Sequence, residues 1–306
     1  MRHVITVRAP NPSPMTLSGT NSYVVDCFDR VALVIDPGPN MDAHVRALLT
    51  TAAERGLRIV AIVVTHGHPD HAPAAIPLAF ATGATVYAHP RCTTPHARNL
   101  ELDGELRVGE RTFSIMDAPG HTFDHIVLYD RHAETLFTGD TIVGEGTVVI
   151  APPGGAMRPY QATLERLARE YSNARFILGG HGPVVNDAKA KIAEYISHRK
   201  LRETQLIDAL SCGAQTIPEL VARVYAQTRR ELWPAAARQI LAYLDALCSE
   251  GRVSATPAPR PMSAEEYAML NPDWDSLVDP ELAKVLDAEL GAEYRIEKLD
   301  HYALVR

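Results

Sequence analysis

Short apolar runs rich in β-branched residues recur through the first 180 positions, and each stops at glycine, proline, aspartate or histidine. "SYVVDCF" and "RVALVID" flank a turn around Asp29 and predict a hairpin. "IVAIVV", Ile59 to Val64, is apolar throughout, the pattern of a strand buried on both faces. Further strands are predicted in "ATVYAH", "RTFSIMDA", "HIVLYD", "ETLFTGD" and "RFILGG". Between them, helical spacing predicts an amphipathic helix over 40–55 and another around Pro159 to Tyr171. A further helix is expected to start near His71, with Pro73 tolerated in its first turn and Pro77 kinking or shortening it. Hairpin-like strands mixed with helices indicate two sheets with outer helices, an α+β fold.

From Asn186 the pattern changes. "DAKAKIAEYISHRKLRETQLIDAL" has neither glycine nor proline and reads as one long helix. "TIPELVARVY" and "LWPAAARQILAYLDALCSEG" follow as two more, closed by a short strand "RVSAT". Three helices and a strand in this order resemble a winged helix. "PAPRP", Pro257 to Pro261, reads as a stiff linker. Ser263 with Glu266 is a capping-box pattern for a short helix, and another helix is expected near Pro280 to Leu290. The organisation predicted is a catalytic domain over 1–186, a winged-helix-like domain over 187–256, and a linker with an acidic extension over 257–306.

The net charge of −7 belongs to that extension: the last 47 residues carry 11 acidic and 5 basic side chains, leaving the main body near neutral. No apolar run approaches the roughly 18–20 residues of a membrane span, and no basic patch precedes an apolar stretch at the N-terminus. Cys27, Cys92, Cys212 and Cys248 are scattered and form no C-x-x-C pair, which suits buried thiols in a reducing cytoplasm. No membrane partner is expected, and oligomeric state, a homodimer included, is open on sequence.

Candidate chemistry begins where the apolar strand stops. "VVTHGHPDHAP" places His66, His68, Asp70 and His71 within six positions. An H-x-H pair alone is an ordinary surface feature, and Gly-Asp or Gly-His-Gly alone is an ordinary turn. Here, however, three further turns at strand ends carry His121 in "APGHTFDH", Asp140 in "LFTGD" and His181 in "ILGGHGP". Loops at strand ends are where a rigid scaffold can bring distant side chains together. Five histidines and two aspartates so placed read as a metal site. All seven are nitrogen or oxygen donors, which suits two Zn²⁺ but also Fe or Mn.

The H-x-H-x-D-H run resembles the signature of the metallo-β-lactamase superfamily. The resemblance implies a four-layer αββα sandwich with the site at one edge of the two sheets. It implies that His66, His68 and His121 hold one ion, that Asp70, His71 and His181 hold a second, and that Asp140 bridges them. Two such ions would share a hydroxide as nucleophile, with Asp70 orienting it. "DPG", Asp36 to Gly38, matches a structural turn of that family that braces the ligand loop. One departure is "HAPAA" after the signature, where many members carry x-Gly-Gly. "NPSPMTLSGTNSYVV", "GHTFDHIVLYD", "FTGDTIVGEGT", "HGPVV" and "AEYISHRKLRETQLI" resemble, more closely, the beta-lactamase-like protein 2 family over most of residues 10–255.

That resemblance implies hydrolysis, with two substrate classes foremost. The leading one is endonucleolytic cleavage of single-stranded RNA; the alternative is hydrolysis of acyl thioesters on carrier proteins or glutathione-type thiols. The acidic bridge and the absence of a leader argue against a true β-lactamase. An iron-dependent sulfur dioxygenase is disfavoured by the intact second ligand set, and a metal-dependent regulator by the nearly neutral helix from Trp233 to Cys248. Residues 200–255 lack the basic stripe usual in a sequence-independent RNA binder. In "YISHRKLR", Tyr195, His198, Arg199 and Arg202 share one helical face and are candidates for binding an anionic substrate group.

Overall fold

Alternation along the strands decides which layer each side chain enters. The computed structural model describes residues 3–213, 215–271 and 295–305, with 280, 283, 284 and 287. The first sheet holds β1 (Val4–Arg8), β2 (Asn21–Asp26), β3 (Val31–Ile35), β4 (Arg58–Val63), β5 (Thr85–Ala88) and β6 (Arg98–Asn99), in that order. Pairing is antiparallel from β1 to β3 and parallel from β3 to β6. The second holds β7 (Glu105–Val108), β8 (Arg111–Asp117), β9 (Ile126–Asp130), β10 (Thr135–Gly139) and β11 (Phe176–Gly179), parallel only between β10 and β11.

Odd and even positions then separate. Val25, Leu33, Ile35 and Val63 of the first sheet meet Phe113, Ile115, Leu128 and Phe137 of the second in a core between the sheets. The alternate residues Val24, Val34 and Ile62 pack outwards on α1 (Asp42–Glu54) and α2 (Ala75–Thr82). Met116, Val127, Leu136 and Ile177 pack outwards on α3 (Met157–Glu170) and α4 (Ala188–Ser211). Four layers, αββα, result as expected. The helix expected from His71 begins only at Ala75, because residues 65–74 form the loop that carries the ligands. Pro77 falls in its first turn, where no amide donor is required, so it neither kinks nor ends the helix. In the "HAPAA" run that departs from x-Gly-Gly, Ala72, Ala74 and Ala75 are buried and small enough to bring α2 onto the sheet.

The C-terminal elements are α5 (Ile217–Val224), α6 (Trp233–Ser249), β12 (Val253–Pro257), α7 (Ala264–Leu270) and β13 (Asp300–Leu304). The same apolar core runs from Met116 and Tyr160 through Tyr195 and Leu206 to Tyr243, Leu247 and Tyr302. The helical part is thus packed onto the outer face of the second sheet. The end of the chain corrects the expectation of a separate extension: β13 returns to pair antiparallel with β12, and Tyr302 bridges to Gln215. Pro257 is itself in the strand, facing Asp300, so the proline stretch is the turn out of a wing strand. The capping box at Ser263 and Glu266 is present, while most of the helix expected near Pro280 to Leu290 lies outside the described residues. Tyr302→Ala removes a buried ring from the core and is expected to cost about 2–4 kcal/mol in a urea unfolding titration. An unchanged midpoint would make the returning strand dispensable.

Candidate metal centre

Four strand ends deliver the ligands. His66, His68, Asp70 and His71 follow β4, His121 follows β8, Asp140 follows β10, and His181 follows β11. All are buried except His68, which is half-buried. Nε2 of His66 lies 3.1 Å from Nδ1 of His68, which lies 3.2 Å from Nε2 of His121. Oδ2 of Asp70 lies 3.2 Å from Nε2 of both His71 and His181. Asp140 spans the two groups: Oδ2 is 3.3 Å from His181 and 3.9 Å from His121, while Oδ1 is 3.5 Å from His71. A tetrahedral ion with bonds of about 2.0–2.1 Å sets its ligands about 3.3 Å apart. The donor spacing therefore fits divalent metal ions in both groups.

The orphaned atoms agree. Asp140 Oδ1 and His71 Nε2 are buried without hydrogen-bond partners. Burial is costly for the charged form of His71, but the carboxylates of Asp70, Asp140 and Asp36 outweigh it and hold the imidazole well above its usual range. Burial likewise opposes protonation of His181, and Asp140 and Asp70 raise it to about 10. Burial and the surrounding imidazoles instead push His66 well down. Cationic neighbours are thus drawn to the second group, as divalent ions would be.

The remaining nitrogens set tautomers and ring angles. His121 Nδ1 donates to the Val149 carbonyl at 3.0 Å, leaving Nε2 for an ion. Asp36 organises the other side, at φ +49°. Its Oδ1 accepts from Thr65 N–H at 2.7 Å, and its Oδ2 accepts from the Thr65 hydroxyl at 2.8 Å and His71 Nδ1 at 3.0 Å. The Thr65 hydroxyl lies 3.0 Å from His66 Nδ1, so one carboxylate orients a ligand of each group. Gly38 N–H donates to the His71 carbonyl at 2.9 Å, which ties the Asp36–Gly38 turn to the loop. Gly180 is required by close approach, since a Cβ there would meet Asp140 Oδ1 at 2.3 Å. Asp36→Asn should weaken metal affinity about 10–100-fold, read by chelator competition, because an amide cannot accept from all three donors. Undiminished affinity would remove Asp36 from this role.

Sequence reasoning missed several supports. Thr20 donates to Asp70 Oδ2 at 3.0 Å, and Asn21 Nδ2 donates to the Gly182 carbonyl at 2.9 Å beside His181. His125 stacks on His66 at 4.6 Å and accepts from Asp140 N–H at 3.1 Å. All three lie in quoted runs, "GTNSYVV" and "GHTFDH", where polar residues interrupting an apolar strand were the available signal.

The candidate substrate face is divided. Tyr195 is buried, its hydroxyl accepting from Val143 N–H at 3.0 Å, and it packs between the layers. Arg199 is buried too, donating to the Gln239 side chain at 2.9 Å and the Val148 carbonyl at 2.7 Å. Neither is a solvated anion ligand, because the winged-helix part covers that side of α4. His198 and Arg202 do line a cleft of about 350 Å³, and Asp140 and His181 line the same cleft. Burial, then Arg199 and Arg202, push His198 down to about 4, so its imidazole is neutral.

This fold and this cluster of five histidines and two aspartates belong to one class: the chain is a member of the metallo-beta-lactamase superfamily, whose pattern matches residues 15–181. A beta-lactamase associated winged helix domain matches residues 216–258. Within the superfamily, the chain is 31% identical to a beta-lactamase-like protein 2 homolog of Caenorhabditis elegans, over 82% of this chain and 85% of that one. It is 30% identical to an atrochrysone carboxyl ACP thioesterase of Aspergillus chevalieri, over 72% and 73%. A metallo-beta-lactamase family protein from Thermus thermophilus superposes with a TM-score of 0.68 at 22% identity, over 84% and 96%, which establishes the shared fold. Among the described residues no helix is long and apolar enough to cross a membrane.

Proposed function

We propose that the protein is a dinuclear zinc hydrolase of acyl thioesters. The observation that carries this reading is the cleft that leaves the metal centre and ends on α6. Met15, Leu17, Val149 and Ala235 give it an apolar lining, and Met15 and Val149 pack against Ala235. An acyl chain matches such a surface. In a winged helix that reads nucleic acid, the equivalent helix must be free to enter a groove. Here 11 of the 17 residues of α6 are buried, and its first turns wall the cleft instead. The adjacent arginines are also engaged locally, Arg229 with Glu231 at 3.1 Å and Arg230 over the Trp233 ring at 5.3 Å. Both observations favour a thioester over an RNA strand, and the likeness to an ACP thioesterase agrees.

In this reading His66, His68 and His121 would hold one zinc and Asp70, His71 and His181 the other, with Asp140 near a histidine of each group. When bound, the pair supplies Lewis-acid polarisation of the carbonyl and acidifies water at neutral pH. Asp70 has Oδ2 fixed by Thr20 and keeps Oδ1 free to accept a proton from the attacking water. Asp36 and His125 hold their neighbours in place, so little reorganisation accompanies the reaction. The cleft orients the acyl chain while the C–S bond breaks and the thiol leaves. Zinc-loaded protein should release thiol from N-acetylcysteamine acyl thioesters with metal-dependent turnover, and should cleave a single-stranded oligoribonucleotide far more slowly. Efficient RNA cleavage with inert thioesters would replace this reading by the ribonuclease one.

A further inference from the structure

Arg202 lies in the wall of the cleft that Asp140 and His181 also line, and it is half-buried. Its guanidinium is seated over the Tyr225 ring at 4.6 Å. Nε donates to His198 Nε2 at 3.4 Å, and Nη1 donates to Gln205 Oε1 and the Val224 carbonyl, each at 3.0 Å. None of these partners is an acid, and among the described residues Arg202 forms no ion pair. The charge is therefore held in place without a counter-charge. Nη2 makes no hydrogen bond and stays open to solvent, whereas the unpaired Nε of Arg199 is sealed.

Two hydroxyls continue this wall, since Tyr225 and Thr228 line the same cleft. Neither hydroxyl has a partner among the described residues, and neither is sealed from solvent. The turn that carries them is fixed. Thr228 N–H donates to the Tyr225 carbonyl at 2.9 Å, and Trp233 Nε1 donates to the Thr228 carbonyl at 3.2 Å. The acids on the cleft are the ligand Asp140 and Glu145, which is exposed. The bonding pattern of Arg202 then selects among anions. A carboxylate pairs best through two parallel N–H bonds, from Nη2 together with Nε or Nη1. Here Nε and Nη1 are engaged by neutral partners, so only Nη2 is free. A phosphate needs no such fork, because its diverging oxygens accept from Nη2 and a neighbouring hydroxyl at the same time.

Position decides which part of the substrate carries that phosphate. The Tyr195 hydroxyl is tied to Val143, just beyond Asp140, and Arg202 follows Tyr195 by seven residues of α4, about 10 Å along the axis. An anion at Arg202 is thus carried on an arm, away from the reacting carbonyl. The acyl chain occupies the apolar stretch of Met15, Val149 and Ala235. We infer that Arg202, with the hydroxyls of Tyr225 and Thr228, is a subsite for a phosphate on the thiol arm of the substrate. A pantetheine phosphate, free in a coenzyme or attached to a carrier protein, is a thiol of this form. Glutathione, which carries carboxylates and no phosphate, is not. The inference rests on the thioesterase reading and adds to it a selection of the leaving thiol.

The test places one hexanoyl group on pantetheine, on 4′-phosphopantetheine and on glutathione, and presents each ester to the zinc-loaded protein. Here kcat/KM is expected to favour phosphopantetheine over pantetheine by about tenfold or more, chiefly through KM, with no gain for glutathione. Arg202→Gln should bring the ratio of the two pantetheine esters close to one. A merely structural loss would slow both esters alike and leave that ratio unchanged. Thr228→Val touches none of the ties of the guanidinium, so it serves where Arg202→Gln does not fold, and it should lower the ratio about fivefold. Hexanoyl-coenzyme A compared with hexanoyl carrier protein, in wild type and Arg202→Gln, separates the two sources, and a loss with the variant for either supports the subsite. Thioester turnover with no phosphate preference, or a preference that survives these substitutions in folded protein, would overturn the subsite and leave the thioesterase reading standing. An Arg202-dependent preference for glutathione would overturn the phosphate assignment. Equilibrium binding of S-hexyl phosphopantetheine against S-hexyl pantetheine covers the converse. If no thioester is turned over yet the phosphorylated thioether binds tighter in an Arg202-dependent way, the subsite stands and the hydrolytic reading fails. Equal binding together with no turnover would overturn both.

Discussion

Replacing Asp140 by asparagine is expected to lower turnover on the order of a thousandfold while the metal-free chain still folds. Asp140 is the carboxylate that lies near a histidine of each ligand group, 3.9 Å from His121 and 3.3 Å from His181. An amide is of nearly the same shape, so the peptide N–H that His125 accepts is retained. What disappears is a negative charge at the point where two dications would otherwise repel. In a buried site that repulsion is poorly screened, and the amide nitrogen, a donor, would be turned towards an ion or towards His71. Divalent metal should therefore fall from about two equivalents per chain towards one, measured by elemental analysis after dialysis. The apolar cores lie between and outside the sheets rather than at the ligands, so chelated wild type and chelated variant should both unfold cooperatively. A variant that keeps two ions and near-normal turnover would exclude a bridging role for Asp140 and a dinuclear reaction with it.

The ligands were legible because each sits where an apolar strand stops. In "IVAIVVTHGHPDH" the change from continuous apolar residues to histidine and aspartate marks a buried strand emerging at an edge, and three other strands repeat it. Strand identity was legible for the same reason, although β1 alternates too weakly to stand out, with burial pattern iieie, and β7 alternates as eBeB over four residues only. The supports were not legible. Thr20 is 50 positions from Asp70, and nothing in a threonine's neighbours predicts a partner at that separation. The returning strand β13 was hidden differently, since "DHYAL" is short, half polar and separated from β12 by an acidic stretch whose composition suggests a solvated tail. The face of α4 was misread in part because helical periodicity shows that Tyr195 and Arg199 share a side without showing what covers it. Burying an arginine is rare enough that exposure was the natural expectation.

Arg199→Ala is accordingly expected to act first on stability, with a loss of about 3 kcal/mol or more in a denaturant titration. Three contributions can be separated. The side chain fills space between α3, α4 and α6, and truncation at Cβ leaves a void in the largest core. The Val148 carbonyl loses its donor, and Gln239 Oε1 is left with Ile150 alone. Against these stands a gain, because a buried cation with no carboxylate partner is no longer desolvated. Arg199→Met retains most of the volume and also removes the cation, so it should cost less than the alanine variant. Arg199→Lys keeps the charge but not the planar fork that reaches two carbonyls at once, and it should lie between them. If alanine and methionine instead cost the same, cavity formation is not the main term and the orphaned acceptors are. If neither shifts the midpoint, Arg199 does not join the two parts of the chain. Activity is the second readout: Arg199 holds Gln239 by its oxygen, so in folded Arg199→Met protein KM should rise more than kcat falls, because the damage lies at the far end of the cleft from the ligands.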